Sequence, residues 1–176
     1  MISLGRLLSV PIVVYLILNG FMTAAFWLFI AAGISDGVDG YLAKTLGQSS
    51  ALGAYLDPIA DKVLLVGVYV TLGQAEHLPN WLVIMVVFRD LIIVGGIILL
   101  HISTYGVRRV RPLLISKVNT AAQIALIAVV LTELGLGFDL SGLLNVLIYV
   151  VAVTTILSGA SYIVNWGRTV EQIEDN

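Results

Sequence analysis

Four aspartates, Asp36, Asp39, Asp57 and Asp61, lie in a stretch that is otherwise apolar enough for a lipid bilayer. An ionised carboxylate near the hydrocarbon core is costly, so four of them require cationic partners. Carboxylate oxygens suit hard divalent cations such as Mg²⁺ or Mn²⁺, and no histidine lies nearby in sequence to favour zinc. Two such ions can clamp a pyrophosphate and stabilise charge on the attacking and leaving oxygens. We therefore predict that this stretch is the active site.

The spacing of these residues predicts two polar helix faces. In the first helix the polar and small positions follow i, i+3, i+4, i+7 spacing, and in the second they follow i, i+4, i+8, so each set shares one face. The two sets are Asp36, Asp39, Gly40 and Ala43, and Gly53, Asp57 and Asp61. Because the link between the helices is short, we expect antiparallel neighbours whose polar faces converge. The small residues leave room for a flat group, such as a nucleotide base, to approach the backbone.

The composition indicates a polytopic helical membrane protein that forms a single domain over residues 1–176. Hydrophobic residues make up 59% of the chain and charged residues 11%, which is outside the range of soluble globular proteins. Apolar runs bounded by polar residues, glycine or proline predict an all-α fold with six transmembrane helices. The approximate spans are 5–19, 22–45, 50–73, 81–101, 113–133 and 143–165. The polar C-terminal tail that follows is predicted to be frayed.

Basic residues are distributed unevenly among the connections between spans. The connections at 19–20, 74–80 and 134–142 contain no lysine or arginine. The other ends of the spans carry Arg6, Lys44, Arg108, Arg109, Arg111 and Arg168. Since basic residues concentrate on the cytoplasmic side, both termini are predicted to be cytoplasmic, in an inner or cytoplasmic membrane. The aspartate stretch would then open to the cytoplasm, where nucleotides and divalent cations are available.

The pattern Asp36-x2-Asp39-Gly40-x2-Ala43-Lys44-x8-Gly53-x3-Asp57-x3-Asp61 closely resembles the defining motif of the CDP-alcohol phosphotransferases. Seven positions match over 26 residues. The departure is Lys44, where the family pattern usually has arginine; lysine keeps the positive charge but loses the planar bidentate fork. LDPIADK, FRD and SKVNTAAQ also resemble stretches of the phosphatidylglycerophosphate synthase and CMP-forming cardiolipin synthase branch. This wider similarity covers most of the chain.

The resemblance implies a six-helix intramembrane enzyme, generally a homodimer, that uses a CDP-linked lipid donor and two divalent ions, Mg²⁺ or Mn²⁺. By the family pattern, Asp36, Asp39 and Asp57 would be metal ligands. Asp61 would lie near the second metal and also act as the general base. It would take a proton from the acceptor hydroxyl as this attacks the β-phosphorus, and CMP would leave.

The same resemblance assigns the small residues and the lysine of the motif to the CDP-linked donor. Gly40, Ala43 and Gly53 would lie against the cytidine. Lys44 would contact phosphate. No nucleic-acid partner is expected.

The acceptor alcohol must be inferred from the second half of the chain. Lys117 begins an apolar span near the predicted cytoplasmic cavity and could donate to an acceptor phosphate. Arg108, Arg109 and Arg111 have two open interpretations: direct acceptor binding, or ordinary topology determinants that bind anionic headgroups.

Asn119 favours one acceptor over another. Phosphatidylglycerophosphate synthases tend to have a second lysine two residues after the first, whereas this chain has Lys117-Val118-Asn119-Thr120, which looks more like the cardiolipin synthase version. One fewer cation also suits phosphatidylglycerol, a monoanion, better than dianionic glycerol 3-phosphate. Phosphatidylglycerol is therefore the favoured acceptor, and glycerol 3-phosphate is the alternative.

Other classes of protein also place acidic residues inside membrane spans. A cation channel or transporter is the non-enzymatic alternative, but it gives no role to Gly40 and Gly53 beside the acids. An intramembrane prenyltransferase would resemble a longer bundle that lacks the D-x2-D-G-x2-A pattern. Arg89 and Asp90 lie in the fourth span. Because they are adjacent, we expect them to point to different helix faces and not to pair with each other on one face. Each would instead find a partner elsewhere in the bundle, in a structural or a catalytic role.

Overall fold

The computed structural model describes residues 2–46, 51–103 and 114–174 of the chain. Within these ranges the chain forms six α-helices and no strand. The helices are α1 (Ile2–Leu18), α2 (Met22–Leu46), α3 (Ala51–Gln74), α4 (Asn80–Ser103), α5 (Leu114–Leu136) and α6 (Ser141–Glu174). The prediction of an all-α fold with six helices is confirmed.

The helix ends agree with the predicted spans to within three residues, except at the end of α6. The prediction of a frayed C-terminal tail is wrong, because α6 continues as a helix to Glu174. Its last turns contain Glu171, Gln172 and Glu174, which are good helix formers, and no proline. At 34 residues, α6 is about 51 Å long, well beyond the roughly 30 Å thickness of a bilayer's hydrocarbon core.

Helix α3 packs against α1, α4 and α5. Helix α2 packs against α1 and α5, and α6 packs against α4 and α5. One continuous apolar core joins the helices, with Val13, Phe29, Tyr69, Leu82 and Leu126 among its buried members. Helices α2 and α3, which carry the aspartate motif, are therefore both supported by α1 and α5.

A tight turn connects α1 to α2. Gly20 has a positive φ of 75°, a backbone conformation that glycine adopts without steric cost. The N–H of Phe21 donates to the carbonyl oxygen of Leu16 at 2.9 Å, which satisfies one of the last carbonyls of α1. The turn brings the start of α2 back alongside α1.

The outer surface of the bundle is apolar. On α6, Leu143, Val146, Val150 and Val153 are exposed at helical spacing. Two helical segments in the described part of the chain, Leu114–Leu136 and Ser141–Tyr162, are long and apolar enough to cross a membrane. Only 33% and 28% of their most apolar stretches are buried in the bundle, so both helices expose much apolar surface.

Candidate active site

The aspartate motif lies in two consecutive helices, near the end of the first and the start of the second. Asp36 and Asp39 lie in the C-terminal half of α2, whereas Asp57 and Asp61 lie in the N-terminal half of α3. The helical conformation predicted for both segments is confirmed, so the positions of each set share a helix face. The side chains of residues 36–61 lie outside the part that the structure describes. The convergence of the two faces and the metal and donor assignments therefore stay predictions.

The residues assigned to the donor and the acceptor also stay predictions. Gly40, Ala43 and Lys44 lie in α2 and Gly53 lies in α3. Lys117 lies in the first turn of α5, and its side chain is exposed. Arg108, Arg109 and Arg111 lie outside the described residues.

Lys62 directly follows Asp61 and is the first α3 side chain that the structure describes. Its Nζ lies 2.8 Å from Oδ1 of Asp90 on α4. The Lys62 side chain is 21% exposed, whereas that of Asp90 is 2% exposed. This ion pair links the two helices beside the predicted general base.

Arg89 is 3% exposed, and each nitrogen of its guanidinium group donates a hydrogen bond. Nη1 donates to Oδ1 of Asp90 at 2.6 Å, and Nη2 donates to Oγ of Ser116 at 2.7 Å. Nε donates to Oγ of Ser158 at 3.2 Å, and Nη2 makes a second, short hydrogen bond to the same oxygen. Arg89 therefore joins α4 to both α5 and α6.

The expectation that Arg89 and Asp90 would not pair with each other is wrong. The two residues occupy different directions around α4, but their Cα atoms are only about 3.8 Å apart. The long arginine side chain turns back so that its guanidinium group reaches the adjacent carboxylate. The expectation that each would also have partners elsewhere is confirmed by Lys62, Ser116 and Ser158.

A second polar contact joins α5 to α6 one turn beyond Ser116. Asn119 is fully buried, and its Oδ1 accepts hydrogen bonds from the hydroxyl groups of Thr154 and Thr155 at 2.8 and 3.0 Å. Its Nδ2 has no hydrogen-bond partner among the described residues. The residue that stands in place of a second lysine is thus a neutral group held inside the bundle.

Buried polar groups continue along the same face of α5. Gln123 is fully buried, and neither atom of its side-chain amide has a hydrogen-bond partner among the described residues. The hydroxyl group of Tyr69 donates to the backbone carbonyl of Gln123 at 3.2 Å, which links α3 to α5. Oδ2 of Asp90 also has no partner within the described part of the chain.

The motif-based interpretation missed the hydroxyl groups that complete these contacts. Ser116, Thr154, Thr155 and Ser158 lie inside apolar spans, where polar side chains commonly bind neighbouring helices. That signal marks such residues as interhelical, but it does not give their partners.

No group of three or more histidine, cysteine, aspartate or glutamate side chains that could hold a metal ion occurs among the side chains that the structure describes. An open cavity of about 450 Å³ lies at the connection between α3 and α4, lined by Gly73, Glu76, His77 and Asn80 among others. It is at the opposite end of α3 from Asp57 and Asp61. The cavity is therefore separate from the active site predicted at the aspartate motif.

Comparison with known proteins identifies the family. A family model described as CDP-alcohol phosphatidyltransferase matches residues 1–157, which include every position of the aspartate motif. The chain therefore belongs to the CDP-alcohol phosphatidyltransferase family, and the resemblance seen in the motif is confirmed.

Individual relatives carry two different names. The chain is 36% identical over 179 residues to "CDP-diacylglycerol--glycerol-3-phosphate 3-phosphatidyltransferase 1, chloroplastic" of Oryza sativa subsp. japonica, covering 92% of this chain and 54% of the relative. It is 34% identical over 190 residues to "Cardiolipin synthase (CMP-forming)" of Homo sapiens, covering 99% of this chain and 63% of the relative. The chain thus spans between 54% and 63% of the length of these two relatives. Their names share the family but differ in the acceptor.

Proposed function

We propose that this chain transfers a phosphatidyl group from CDP-diacylglycerol to the hydroxyl of a glycerol-type acceptor and releases CMP. The observation that carries the proposal is the aspartate motif on α2 and α3, because it lies inside the region that matches the family. The name of the rice relative includes CDP-diacylglycerol and glycerol 3-phosphate, and the name of the human relative describes a CMP-forming cardiolipin synthase.

The four carboxylates are a donor set that fits hard divalent cations, with oxygen ligands only and helical spacing within each pair. We assign Asp36, Asp39, Asp57 and Asp61 as the ligands of two Mg²⁺ or Mn²⁺ ions. When bound, such ions neutralise the negative charge of a pyrophosphate.

Asp61 acts as the general base in this proposal. Its carboxylate accepts the proton of the acceptor hydroxyl while that oxygen forms a bond to the β-phosphorus of the donor. The bond from the same phosphorus to the oxygen that bridges the two phosphates breaks, and the bridging oxygen leaves with CMP. The phosphatidyl group ends on the acceptor, so one phosphate ester bond replaces one phosphoanhydride bond.

The remaining motif residues bind the donor. Gly40, Ala43 and Gly53 leave space for the cytidine ring to approach the helix backbone. Lys44 contacts a donor phosphate as a point charge, since lysine lacks the bidentate fork of arginine.

Phosphatidylglycerol is the acceptor that we favour, which would make the chain a cardiolipin synthase. The neutral Asn119, buried between α5 and α6, supports this choice because it removes a cation that a dianionic acceptor would use. Lys117, with Arg108, Arg109 and Arg111, would bind the acceptor phosphate. Glycerol 3-phosphate is the second candidate acceptor, and the rice relative favours it by name.

We further propose that the chain forms one domain over residues 1–176, with six spans in the inner or cytoplasmic membrane and both termini in the cytoplasm. Exposed apolar side chains on α6 and two membrane-length helices support the membrane placement. The absence of lysine and arginine from residues 74–80 and 134–142 supports the orientation. A homodimer is proposed from the family resemblance.

The test is release of CMP from CDP-diacylglycerol by the detergent-solubilised protein with Mg²⁺. Phosphatidylglycerol and glycerol 3-phosphate are offered separately, and the lipid products are identified by mass spectrometry. Cardiolipin formed only with phosphatidylglycerol supports the favoured acceptor, and phosphatidylglycerophosphate formed from glycerol 3-phosphate supports the alternative. A folded preparation that releases no CMP with either acceptor would refute the enzymatic proposal. That result would favour the alternative, a cation channel or transporter.

A further inference from the structure

A group of buried polar side chains, which we name the Arg89 hub, joins four of the six helices. Its members are Lys62 of α3, Arg89 and Asp90 of α4, Ser116 of α5 and Ser158 of α6. Arg89 is the central member, because it contacts three of the other four directly. Lys62 joins through Oδ1 of Asp90, the same oxygen that accepts from Arg89.

The hub is costly to bury. Arg89 and Asp90 are 3% and 2% exposed, and a buried ion pair repays its desolvation only when the geometry is good and the remaining hydrogen-bonding groups are satisfied. The guanidinium group meets that condition, because Nε, Nη1 and Nη2 all donate, whereas Oδ2 of Asp90 has no partner among the described residues. Apolar residues of similar volume often give equal or higher stability in such places. Stability alone therefore does not account for the hub, whereas directional contacts between helices do.

The position of the hub in the sequence suggests what it orients. Lys62 follows Asp61, the proposed general base, and Ser116 precedes Lys117, the proposed ligand of the acceptor phosphate. Neighbouring Cα atoms on a helix are about 3.8 Å apart, so a contact that holds one residue also holds the backbone of the next. The hub thus connects the backbone beside the base on α3 to the backbone beside the acceptor lysine on α5.

We propose that Arg89 is a positioning residue that sets the placement of Asp61 relative to Lys117, and hence of the base relative to the acceptor hydroxyl. This role rests on the proposed function, since it concerns the acceptor step of that reaction. Arg89 itself does not contact substrate in this assignment. Its guanidinium fork fixes α4, α5 and α6 with respect to one another, and Asp90 transmits that placement to α3.

Kinetics of two matched serine variants test the role. Ser158→Ala removes the hydroxyl that accepts from Arg89, whereas Ser161→Ala removes one that donates only within α6, to the carbonyl of Leu157. We expect Ser158→Ala to raise the KM for the acceptor and lower kcat, with roughly a 10-fold loss in kcat/KM for the acceptor and an unchanged KM for the donor. Ser158→Thr, which retains a hydroxyl, should recover most of the loss, and Ser161→Ala should match the parent protein.

A purely structural role predicts a different pattern. It would lower the amount of active enzyme, and therefore kcat, while leaving the KM values of donor and acceptor unchanged. That pattern, or equal effects of Ser158→Ala and Ser161→Ala, would overturn the proposal.

A distance measurement decides the question independently of activity. The chain has no cysteine, so nitroxide labels can be attached to Val63→Cys on α3 and Val118→Cys on α5, whose native side chains are 41% and 54% exposed. The parent protein and Ser161→Ala should give one narrow distance distribution, and Arg89→Gln or Ser158→Ala a broadened or shifted one. An unchanged distribution in the folded Ser158→Ala protein would overturn the positioning role. Absence of CMP release from the parent protein would instead refute the proposed function.

Discussion

The hydroxyl of Thr23 donates to the carbonyl oxygen of Gly135 at 2.6 Å, although the two residues are 112 positions apart. At the same place, a Cβ on Gly135 would lie 3.0 Å from the backbone carbon and oxygen of Met22 and from the backbone nitrogen of Thr23. The start of α2 and the end of α5 are therefore in backbone contact. This contact anchors α2 at the end opposite its aspartates.

Gly135→Ala should destabilise the bundle, because the neighbouring atoms belong to the backbone and cannot rotate away. Overpacking of this kind costs about 1–3 kcal/mol, which should appear as a lower thermal midpoint in detergent. Gly142→Ala is the matched control, since a Cβ at Gly142 meets nothing within 4 Å. Equal midpoints for the two variants would contradict the close approach of α2 and α5.

The six helices could be predicted from the sequence because their ends are marked locally. Gly20 permits the turn after α1, and Pro79 directly precedes α4. The continuation of α6 could not be predicted from polarity, since the residues after the apolar run are polar but still favour helix. For α6 alone, the boundary of the apolar span is thus a poor guide to the end of the helix.

The candidate site could be predicted from the sequence only in part. The aspartate motif can be recognised from its residue types and their spacing, and the family match includes all of its positions. The Arg89 hub was not predictable, because its members come from four helices whose relative rotation depends on the whole bundle. The adjacent pair Arg89 and Asp90 shows that the helix face of a residue does not by itself predict its contacts, since a long side chain can cross from one face to the next.

The connection between α5 and α6 should respond to pH through Asp139. Hydrogen bonds from the hydroxyl and the backbone N–H of Ser141 stabilise the charged carboxylate and lower the pKa of Asp139 below its ordinary value. The resulting stabilisation is present above the pKa of the unfolded chain and is lost as the pH falls through the lowered pKa of the folded protein. The effect should be small because the group is exposed.

The measurement for Asp139 is an NMR titration of the Ser141 backbone amide. Its chemical shift should change with a midpoint below about 3.9, the ordinary pKa of an aspartate. Asp139→Asn should remove this titration while leaving an oxygen that can still accept from Ser141. A midpoint at or above the ordinary pKa of an aspartate would contradict the stabilisation of the Asp139 carboxylate by Ser141.

Lys44→Arg should retain or improve the affinity for the CDP-linked donor. Arginine restores the planar fork that can bind a phosphate with two parallel hydrogen bonds, whereas lysine binds as a point charge. The readout is the KM for CDP-diacylglycerol at saturating acceptor, with Lys44→Gln as the comparison that removes the charge. Lys44→Gln should weaken donor binding. A large loss of donor affinity in Lys44→Arg would mean that Lys44 does something other than contact phosphate.

Asp61→Asn should abolish transfer while largely retaining donor binding. The amide has nearly the same shape as the carboxylate but cannot accept the proton of the acceptor hydroxyl, and loss of a general base costs about 10²–10⁴-fold in rate. The measurements are CMP release with saturating acceptor and, separately, binding of CDP-diacylglycerol in the presence of Mg²⁺. Asp139→Asn makes the same chemical change in an exposed connection outside the motif and should leave turnover unaltered. If Asp61→Asn turned over at the parental rate, Asp61 could not be the base, and the proton of the acceptor would have to pass to another group.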